Sequence, residues 1–508
     1  MMLLWVLSAL LGLLLGLCWV RLRWLAVRGY WARRGVPHEP PHPLLGSLTF
    51  LMRENMNMGY LRRMRAQFRS PYVGMWYFWR PALIVNCPDL IRRILVTDSD
   101  NFRNRFARAR DADAIGSQNL LFLREPKWSQ VRRRLTAAFT AAKLRSIQGL
   151  VSCKAKELIQ RIQTDTENNI IIDLRSLYTD YATDLISTAS FGAASGATLS
   201  GGGHMREITR QLSDLPPLRG LCVAMMFFWP EIVNYLSFTL FPKSSTDYLM
   251  KVFGAMVAQR GGYSREPAPA PARARDLLDA LIDMKRAAHK DGVEYDEQLL
   301  LAQAAIFLEA GVDSSGLTLT YATYELAHAP DVQDKLYKEI LKAKQDANSE
   351  ELDASTLSEL PYINCVIKET LRKYPVLGWL DREAAQEYRV DERLTIDAGT
   401  PVLINVVGVH YDPEIYPQPE SFNPDRFLAK DGEAMNPFTF LSFGEGPRHC
   451  IGERFAYQSL RAALCVVTQR FHLRPREGVP PPAQLEVNKY NIFVMPAHML
   501  SVEFVART

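Results

Sequence analysis

One cysteine near the carboxyl end of the chain lies in a loop whose residue types favour metal binding. Cys450 follows closely spaced glycines and precedes an amphipathic pattern that predicts a helix. Free N–H groups and the positive end of the dipole at a helix start favour a thiolate. Gly446 and Gly452 permit positive φ and the close approach of a flat ligand, and Phe443 offers a ring to cover the sulfur. The loop therefore predicts a soft, anionic metal ligand.

The order of residues in this loop carries a resemblance to a known family. The pattern Phe443-x-x-Gly446-x-Arg448-x-Cys450-x-Gly452 resembles the haem-thiolate signature of the cytochrome P-450 superfamily. The resemblance implies that Cys450 is the axial ligand of the iron in haem b. It also implies that Phe443, Arg448 and Gly452 belong to the cofactor site. The alternative is a buried cysteine in an ordinary turn, because free cysteines are common in protein cores.

A long apolar segment predicts a central helix that would lie over such a cofactor. Residues 296–327 would form one helix about 48 Å long. At its centre, Ala310-Gly311-Val312-Asp313-Ser314-Ser315 resembles the oxygen-activating motif of the family, with Ser314 where threonine is usual. The glycine and the hydroxyls can loosen the helix and admit water, and we expect Asp313 and Ser314 to deliver protons. A serine bonded back to its own helix is the alternative.

Four side chains are candidates for holding the carboxylates of a haem. Trp128 and Arg132 are four residues apart on one face of a predicted helix over residues 127–135. A guanidinium binds a carboxylate through two parallel hydrogen bonds, and an indole N–H adds a donor. Arg382 and Arg448 complete the expected set. A packed tryptophan beside a solvated arginine is the alternative for the first two.

A glutamate and an arginine three residues apart predict a structural ion pair. Glu369 and Arg372 share one face of a predicted helix over residues 362–374. The segment resembles the ExxR helix of the family, and Arg426, within residues 424–427, matches the partner segment of that pair. The resemblance implies a buried lock that holds the loop before the ligand cysteine. An exposed ion pair worth little is the alternative.

Composition limits the class of protein. The chain has 508 residues, of which 48% are hydrophobic and 23% are charged, and this is a globular composition. Its net charge of +5 comes without a long basic run, so nucleic acid is not an expected partner. The seven cysteines are scattered without a CxxC pair, which fits a reducing compartment and excludes a zinc ribbon.

The amino-terminal segment predicts a membrane anchor. Residues 1–20 are nearly all apolar and long enough to cross a bilayer as a helix. Five arginines follow within residues 21–34 without a small-residue cleavage site, so an uncleaved anchor is favoured over a signal peptide. The positive-inside rule predicts a cytosolic body, and the resemblance to microsomal members implies the endoplasmic reticulum membrane. We expect a basic, proline-rich hinge over residues 21–45 and a catalytic domain over residues 46–508.

The remaining patterns predict a mainly α fold with a small β region, the cytochrome P-450 fold. Aromatic and β-branched residues over 72–86 indicate strands, and alternating apolar residues over 394–406 indicate a hairpin. Residues 491–494 are expected to form a strand near the pocket. The Pro- and Ala-rich residues 267–272 are expected to form an exposed loop.

Together these resemblances imply a membrane-bound haem-thiolate monooxygenase, similar to insect microsomal members, that oxidises small lipophilic xenobiotics or endogenous lipid-like compounds. Its electrons would come from NADPH through a separate flavoprotein reductase, with a b-type cytochrome as a further partner. The sequence has no Rossmann or P-loop nucleotide motif of its own. A haem-thiolate isomerase or dehydratase that uses no dioxygen, and a noncatalytic membrane haem sensor, are the alternatives.

Overall fold

The computed structural model describes residues 2–213, 216–263, 276–428 and 435–507. The described chain is mostly helical, as predicted. Its α-helices, in chain order, are α1 (Met2–Arg28), α2 (Tyr30–Arg33), α3 (Phe50–Arg53), α4 (Arg62–Phe68), α5 (Pro88–Arg92), α6 (Ala114–Gln118), α7 (Lys127–Thr136), α8 (Ala141–Ser146), α9 (Gln148–Glu167), α10 (Leu174–Phe191), α11 (Ala197–Ser200), α12 (His204–Ser213), α13 (Pro217–Phe228), α14 (Lys243–Gln259), α15 (Leu277–Lys290), α16 (Glu297–His328), α17 (Pro330–Ala347), α18 (Ala354–Glu359), α19 (Pro361–Lys373), α20 (Val406–His410) and α21 (Glu453–Arg470).

Shorter helical turns and a few strands complete the described chain. The π turns are Met56–Leu61 and Arg93–Thr97, and the 3-10 turns are Ser99–Phe102, Ala137–Phe139, Pro230–Tyr235, Pro424–Phe427, Pro437–Thr439 and Pro482–Gln484. The strands are β1 (Tyr72–Tyr77), β2 (Arg80–Val85), β3 (Leu380–Glu383), β4 (Tyr388–Arg389), β5 (Thr395–Ile396), β6 (Pro401–Ile404), β7 (Phe471–Pro475) and β8 (Val502–Ala506).

The largest sheet has four strands in the order β1-β2-β6-β3. β1 and β2 are antiparallel, which confirms the strands predicted over residues 72–86. β6 runs parallel to β2, with Leu83 opposite Val402, and antiparallel to β3, with Leu380 opposite Ile404. All residues of β6 are buried, as expected for a strand with a partner on each side. β4 and β5, and β7 and β8, form separate two-stranded sheets.

The hairpin predicted over residues 394–406 is wrong. The chain does turn at Gly399, whose φ is 79°. The strands on its two sides, however, belong to different sheets, because β5 pairs with β4 while β6 pairs with β2 and β3. Val406 then begins α20 instead of extending a strand. An alternating apolar pattern indicates a buried strand, but it does not indicate which strand lies beside it.

The strand predicted at residues 491–494 is also wrong. The segment is irregular, and its backbone bonds go to other elements. The Val494 N–H donates to the Val376 carbonyl at 3.1 Å, and the Tyr321 hydroxyl donates to the Val494 carbonyl at 2.9 Å. These bonds satisfy the backbone without a neighbouring strand.

The core of the molecule is built around α16, which is 32 residues long and buried over most of its length. Its closest packing is against α10, where two glycines let the helices approach. A Cβ at Gly316 would lie 3.3 Å from the backbone of Thr179, and one at Gly311 would lie 2.7 Å from the Ile186 side chain. The helix stays regular through residues 310–315, so the loosening that we expected there is not seen. Close packing against α10 holds this segment in the helix.

The amino-terminal helix α1 is exposed over most of its length. Its segment Trp5–Arg28 is long and apolar enough to cross a membrane, and the mean hydropathy of an 18-residue stretch within it is 2.0. The helix continues past residue 20, so the first arginines lie on the helix itself. Its end packs on the body, since the Trp76 indole donates to the Val27 carbonyl at 3.1 Å. The division into anchor, hinge and catalytic domain stays a prediction, and the loop predicted at residues 267–272 lies outside the described residues.

Candidate functional site

The loop before α21 requires glycine at two positions. Gly444 and Gly446 have φ of 70° and 75°, and a Cβ at Gly446 would lie 1.9 Å from the Leu95 carbonyl oxygen. The Cys450 N–H donates to the Phe443 carbonyl at 2.8 Å and closes the loop. The loop therefore packs tightly against the π turn that contains Leu95.

Gly452 serves a different purpose from Gly446. Its φ is −89°, so the positive φ that a glycine permits is used at Gly446 and not here. Gly452 is the N-cap residue of α21, and a Cβ built on it would meet only the Cys450 sulfur, at 4.0 Å. The missing side chain keeps the space beside the sulfur open.

The Cys450 thiol opens into a cavity inside the protein, and its side chain is exposed to that cavity. Burial raises the pKa of the thiol above its ordinary value, whereas the backbone N–H groups of Gly452 and Glu453 and the charge of Arg132 act in the opposite direction. The start of α21 favours the thiolate as the sequence predicts, but burial outweighs it. A positively charged partner such as a metal ion would favour ionisation of this thiol.

The three predicted lock residues lie together in the core. Glu369 and Arg372 form a fully buried ion pair on α19, with Nε–Oε2 at 2.7 Å and Nη2–Oε1 at 2.9 Å. The Arg426 Nε donates to Glu369 Oε1 at 3.1 Å. Arg372 also donates to the carbonyls of His410 and Pro419, at 2.9 and 2.8 Å. The pair therefore ties α19 to the end of α20 and the segment that follows it.

A buried histidine that the sequence analysis missed links this ion pair to the cysteine loop. His410 Nδ1 lies 3.1 Å from the Arg372 carbonyl oxygen, and the Leu441 N–H donates to His410 Nε2 at 3.0 Å. Burial, followed by the Arg372 charge, lowers the pKa of His410 to about 3, so the ring is neutral. A neutral ring with its hydrogen on Nδ1 satisfies both bonds. The Ser442 hydroxyl adds a bond to the Leu371 carbonyl at 3.0 Å.

Arg448 places a buried positive charge beside the cavity. Its Nε and Nη2 donate to the carbonyls of Arg103 and Leu123 at 2.8 and 2.9 Å, while its Nη1 is buried without a partner. The guanidinium lies 4.0 Å from the centroid of the Trp128 ring. Burial, followed by the charge of Arg105, lowers the pKa of Arg448 to about 8. The lowered pKa of Arg448 shows that its positive charge is not balanced by a nearby negative charge. The site therefore favours binding of an anion.

Arg105 is a second residue that the sequence analysis missed. It lines the cavity, and its Nη1 binds the buried Asp381 at 2.8 Å. Arg382 is buried but does not line the cavity, and its Nη1 donates to the Asp381 backbone carbonyl at 2.7 Å. In the part of the chain that the structure describes, the guanidinium cluster of Arg105, Arg382 and Arg448 has one directly bound carboxylate. Two positive charges thus lack a bound carboxylate, which matches the charge of a dicarboxylate ligand.

Trp128 and Arg132 both line the cavity from α7. Arg132 is half-buried, so the solvated arginine of our alternative interpretation is not what the structure shows. Burial lowers the pKa of Arg132, and the nearby Cys450 thiol acts in the opposite direction. Its Nη2 lies 3.4 Å from His449 Nε2. The helix therefore directs a cation to the cysteine side of the cavity.

The two predicted proton carriers on α16 lie in different surroundings. Ser314 lines the cavity, and its hydroxyl donates to the Gly311 carbonyl at 3.3 Å, a weak bond back to its own helix. Asp313 does not line the cavity, and its Oδ2 accepts a bond from the Ser213 hydroxyl of α12 at 2.6 Å. The Ser314 hydroxyl is thus available to the cavity, whereas the Asp313 carboxylate lies at the contact between α16 and α12.

These groups surround a cavity of about 380 Å³ between α16 and the Cys450 loop. Three features meet there: the buried Cys450 thiol, whose ionisation a metal would favour, an open face at Gly452, and a buried unpartnered donor on Arg448. An iron porphyrin with two carboxylates meets each of these requirements, since iron binds thiolate and the guanidiniums bind carboxylates. The residues present therefore fit haem.

Glu309 is a third residue that the sequence analysis missed, and like Arg105 it lines the cavity. A single carboxylate within an apolar stretch of the predicted central helix was the available signal. No local signal existed for His410 or Arg105, because their partners Leu441 and Asp381 are far away in the sequence.

Comparisons with known proteins agree with this geometry. A profile of the Cytochrome P450 family matches residues 36–504, a range that contains the whole site. The chain is 33% identical to Cytochrome P450 6k1 of Blattella germanica, over 90% of this chain and 89% of that protein. It is 30% identical to Cytochrome P450 6l1 of the same species, over 97% and 96% of the two chains. It is also 30% identical to Cytochrome P450 6A1 of Musca domestica, over 92% of each.

Proposed function

This chain belongs to the cytochrome P450 family and is a haem-thiolate monooxygenase, and we propose that it takes electrons from an NADPH-dependent flavoprotein reductase to oxidise small lipophilic substrates. The observation that carries the proposal is one cavity, which is lined by the Cys450 thiol, by the guanidiniums of Arg105 and Arg448, and by Ser314. When bound, haem supplies an iron centre that activates dioxygen, and its thiolate ligand favours cleavage of the O–O bond.

The chain offers a complete set of contacts for haem b. Cys450 would hold the iron, and the unpartnered Nη1 of Arg448 would bind a carboxylate together with Arg132 and the indole of Trp128. Arg382 acts through charge, because burial and the charge of Arg105 lower its pKa to about 9 while it stays outside the cavity lining. Gly452 leaves room for the flat ring beside the sulfur.

Side chains of α16 would deliver protons to the cavity. The Ser314 hydroxyl faces the cavity with only a weak bond to its own helix, so it can turn and donate to a ligand. Asp313 is one residue away and exchanges a hydrogen bond with Ser213, which gives a route from the carboxylate toward α12. We infer that Ser314 hands protons to the cavity and that Asp313 organises their supply.

The substrate side of the cavity is apolar. Side chains such as Ile306, Phe307, Val223, Phe227 and Leu212 line it. A cavity of this kind binds molecules through burial of apolar surface, which supports small lipophilic compounds as the substrate class, xenobiotic or endogenous.

The redox partner would meet the cysteine side of the molecule. Lys127, Arg133 and Arg454 are exposed basic residues on α7 and α21, the helices that carry Arg132 and follow Cys450. Exposed cations of this kind steer an acidic surface toward them. They support docking of a flavoprotein reductase, and the same surface serves a b-type cytochrome.

The anchor supports a location at the endoplasmic reticulum membrane. The helix α1 is long and apolar enough to span a bilayer. Arg21, Arg23 and Arg28 lie at its carboxyl end, where the positive-inside rule places the cytosol. We infer that the catalytic domain lies on the cytosolic face.

The test of this function uses the purified protein with a reductase. We expect a thiolate-type Soret shift in the carbon monoxide difference spectrum, and oxygen uptake that requires NADPH, reductase and a lipophilic substrate together. A thiolate spectrum without oxygen uptake would identify an isomerase or dehydratase. A spectrum without the thiolate-type shift would contradict each haem-thiolate enzyme.

A further inference from the structure

Two charged side chains lie in the apolar part of the cavity. Glu309 on α16 and Arg219 on α13 line it among neighbours such as Ile306 and Phe227. Within the described residues, the other ionised groups of the lining are on the cysteine side, namely Arg105, Arg132, Asp381 and Arg448. Placing a charge in an apolar cavity costs free energy, and binding sites accept this cost where a few polar groups orient a ligand.

Glu309 lacks a direct partner. Its carboxylate takes part in no hydrogen bond or ion pair with another described residue. Burial raises the pKa of Glu309 to about 7, with the Asp313 charge adding to the effect and the Arg219 charge opposing it. The acceptor oxygens of Glu309 are therefore left for a molecule in the cavity.

Arg219 is only partly satisfied. Its Nη2 donates to the Leu240 carbonyl, but its Nε is buried without a partner. The guanidinium carbon lies 5.4 Å from the centroid of the Phe238 ring. Burial lowers the pKa of Arg219, and the Glu309 carboxylate is among the charges that raise it. The two side chains thus influence each other across the cavity without forming an ion pair.

The two charged side chains at this space have opposite signs. A cation attracted by Glu309 is repelled by Arg219, and an anion attracted by Arg219 is repelled by Glu309 and by Asp313, one helical turn further along α16, so a charged group gains from only one of the two side chains. A neutral hydroxyl meets neither repulsion. Its hydrogen can donate to the Glu309 carboxylate, and its oxygen can accept from the Arg219 guanidinium.

We propose that Glu309 and Arg219 form a polar anchor that binds the hydroxyl group of an otherwise apolar substrate. The inference rests on the proposed function and deepens it, because it names alcohols among the lipophilic substrates. Apolar contacts with Ile306 and Phe227 hold the body of the molecule, and the anchor fixes its orientation.

The test compares four ligands that share a phenylbutyl group: phenylbutanol, its methyl ether, phenylbutyrate and phenylbutyltrimethylammonium. Their dissociation constants are measured by isothermal titration calorimetry on the detergent-solubilised holoprotein without NADPH, so that binding is separated from turnover. A hydrogen bond between a ligand and a charged group raises the ligand's affinity by about tenfold to hundredfold. We expect phenylbutanol to bind at least about tenfold more tightly than each of the other three ligands.

Variants assign this preference to the two residues. Glu309→Leu is expected to abolish the preference for the alcohol over the ether, and Arg219→Gln to reduce it. Ser190→Ala is the matched control, because the Ser190 hydroxyl also lines the cavity, is buried and has no partner. We expect this variant to keep the preference. An unchanged Soret band and an unchanged affinity for the ether show that each variant keeps its fold.

Three results would contradict the proposed polar anchor formed by Glu309 and Arg219. Tightest binding of phenylbutyltrimethylammonium, lost in Glu309→Leu, would make this a cation site. Tightest binding of phenylbutyrate, lost in Arg219→Gln, would make it an anion site. Equal affinities, or loss of the preference in Ser190→Ala, would leave Glu309 without the proposed role. Each result can occur with a normal thiolate spectrum and NADPH-dependent oxygen uptake, so the anchor can fail while the proposed function stands.

Discussion

The two walls of the cavity are built by opposite means. The cysteine wall, which is the loop of residues 443–452 and the residues that hold it, is fixed by directional bonds. The chain of bonds runs from the Glu369–Arg372 pair through His410 to the Leu441 N–H. The helical wall, which is the part of α12, α13 and α16 that lines the cavity, is held mostly by apolar packing.

The difference between the walls follows from what each one has to hold. A metal–thiolate bond and carboxylate contacts depend on distance and angle, so the cysteine wall is fixed by hydrogen bonds that permit one arrangement. Apolar burial is non-directional, and the helical wall can accept molecules of different shape. Glu309 and Arg219 are the exception in the helical wall, since they add direction to it.

Glu369→Gln is expected to have the largest effect, on the cysteine wall. The substitution leaves the buried guanidinium of Arg372 and the half-buried guanidinium of Arg426 without their charge partner. Breaking a buried ion pair costs on the order of 3 to 5 kcal/mol. We expect the free energy of unfolding, measured by urea denaturation of the holoprotein, to fall by about this amount. Haem should dissociate at a lower urea concentration than in the wild type.

The control for this prediction is Asp425→Asn. Asp425 lies next to Arg426 in sequence, but its ion pair with Lys335, at 2.5 Å, is half exposed. Exposed pairs contribute about 0 to 1 kcal/mol, so the expected change is small. Equal effects of the two substitutions would show that the lock does not fix the cysteine wall.

Glu309→Gln tests the helical wall through pH. Burial, with a further contribution from Asp313, raises the pKa of Glu309 from 4.5 to about 7. Because the folded value lies above the ordinary one, the stabilisation from this group is complete below about pH 4.5 and is lost as the pH rises through about 7. At about 1.4 kcal/mol per pKa unit, the loss is at most about 3.5 kcal/mol. Melting temperatures of wild type and variant should therefore diverge over this range, in favour of the variant, and a constant difference contradicts the assignment.

Arg448→Met is expected to weaken the hold on haem. The side chain keeps its apolar bulk over Trp128, but it loses the free Nη1 donor that would bind a haem carboxylate and the two bonds to the carbonyls of Arg103 and Leu123. A hydrogen bond to a charged group contributes about 1.5 to 3 kcal/mol, so haem transfer to apomyoglobin should be at least about tenfold faster. Arg454→Gln, an exposed arginine on α21, is the control and should leave the rate unchanged. The assignment is wrong if both variants lose haem equally fast.

Ser314→Ala is expected to have the smallest effect on stability. It should, however, lower the amount of product formed per NADPH consumed, which is the coupling of the reaction. The hydroxyl makes one weak bond to the Gly311 carbonyl, so its loss should cost less than about 1 kcal/mol. If Ser314 delivers protons, more of the NADPH consumed should end as hydrogen peroxide than as product. Ser314→Thr keeps the hydroxyl and restricts its rotamer, and should keep the coupling. Unchanged coupling in Ser314→Ala would show that another group carries the proton.

The sequence predicted the parts of the cysteine wall that lie together along the chain. The loop around Cys450, the pair Glu369 and Arg372, and the helix α19 that carries the pair all come from residues at short, fixed spacing. The bonds that fix the loop were not predictable in this way. His410 accepts a bond from Leu441, 31 positions away, and no periodicity within either segment indicates that contact.

The helical wall was predicted less well, for a physical reason. Apolar packing follows no rule about which residues become partners, so Leu212 and Val223 could only be assigned to helices and not to a cavity. The same limit explains the hairpin error, because the pattern that buries β6 is the same whichever strand lies beside it. Charged residues in apolar helices, such as Glu309, are the signal that sequence analysis can use for such walls.

The most direct test of the account is the sulfur ligand of the iron. X-ray absorption at the iron edge of the purified holoprotein should show one sulfur atom bound to iron in the wild type. It should show none in Cys450→Ser, whose other cysteines are unchanged. An iron without sulfur in the wild type, or with sulfur in the variant, would contradict the assignment of Cys450 as the haem ligand.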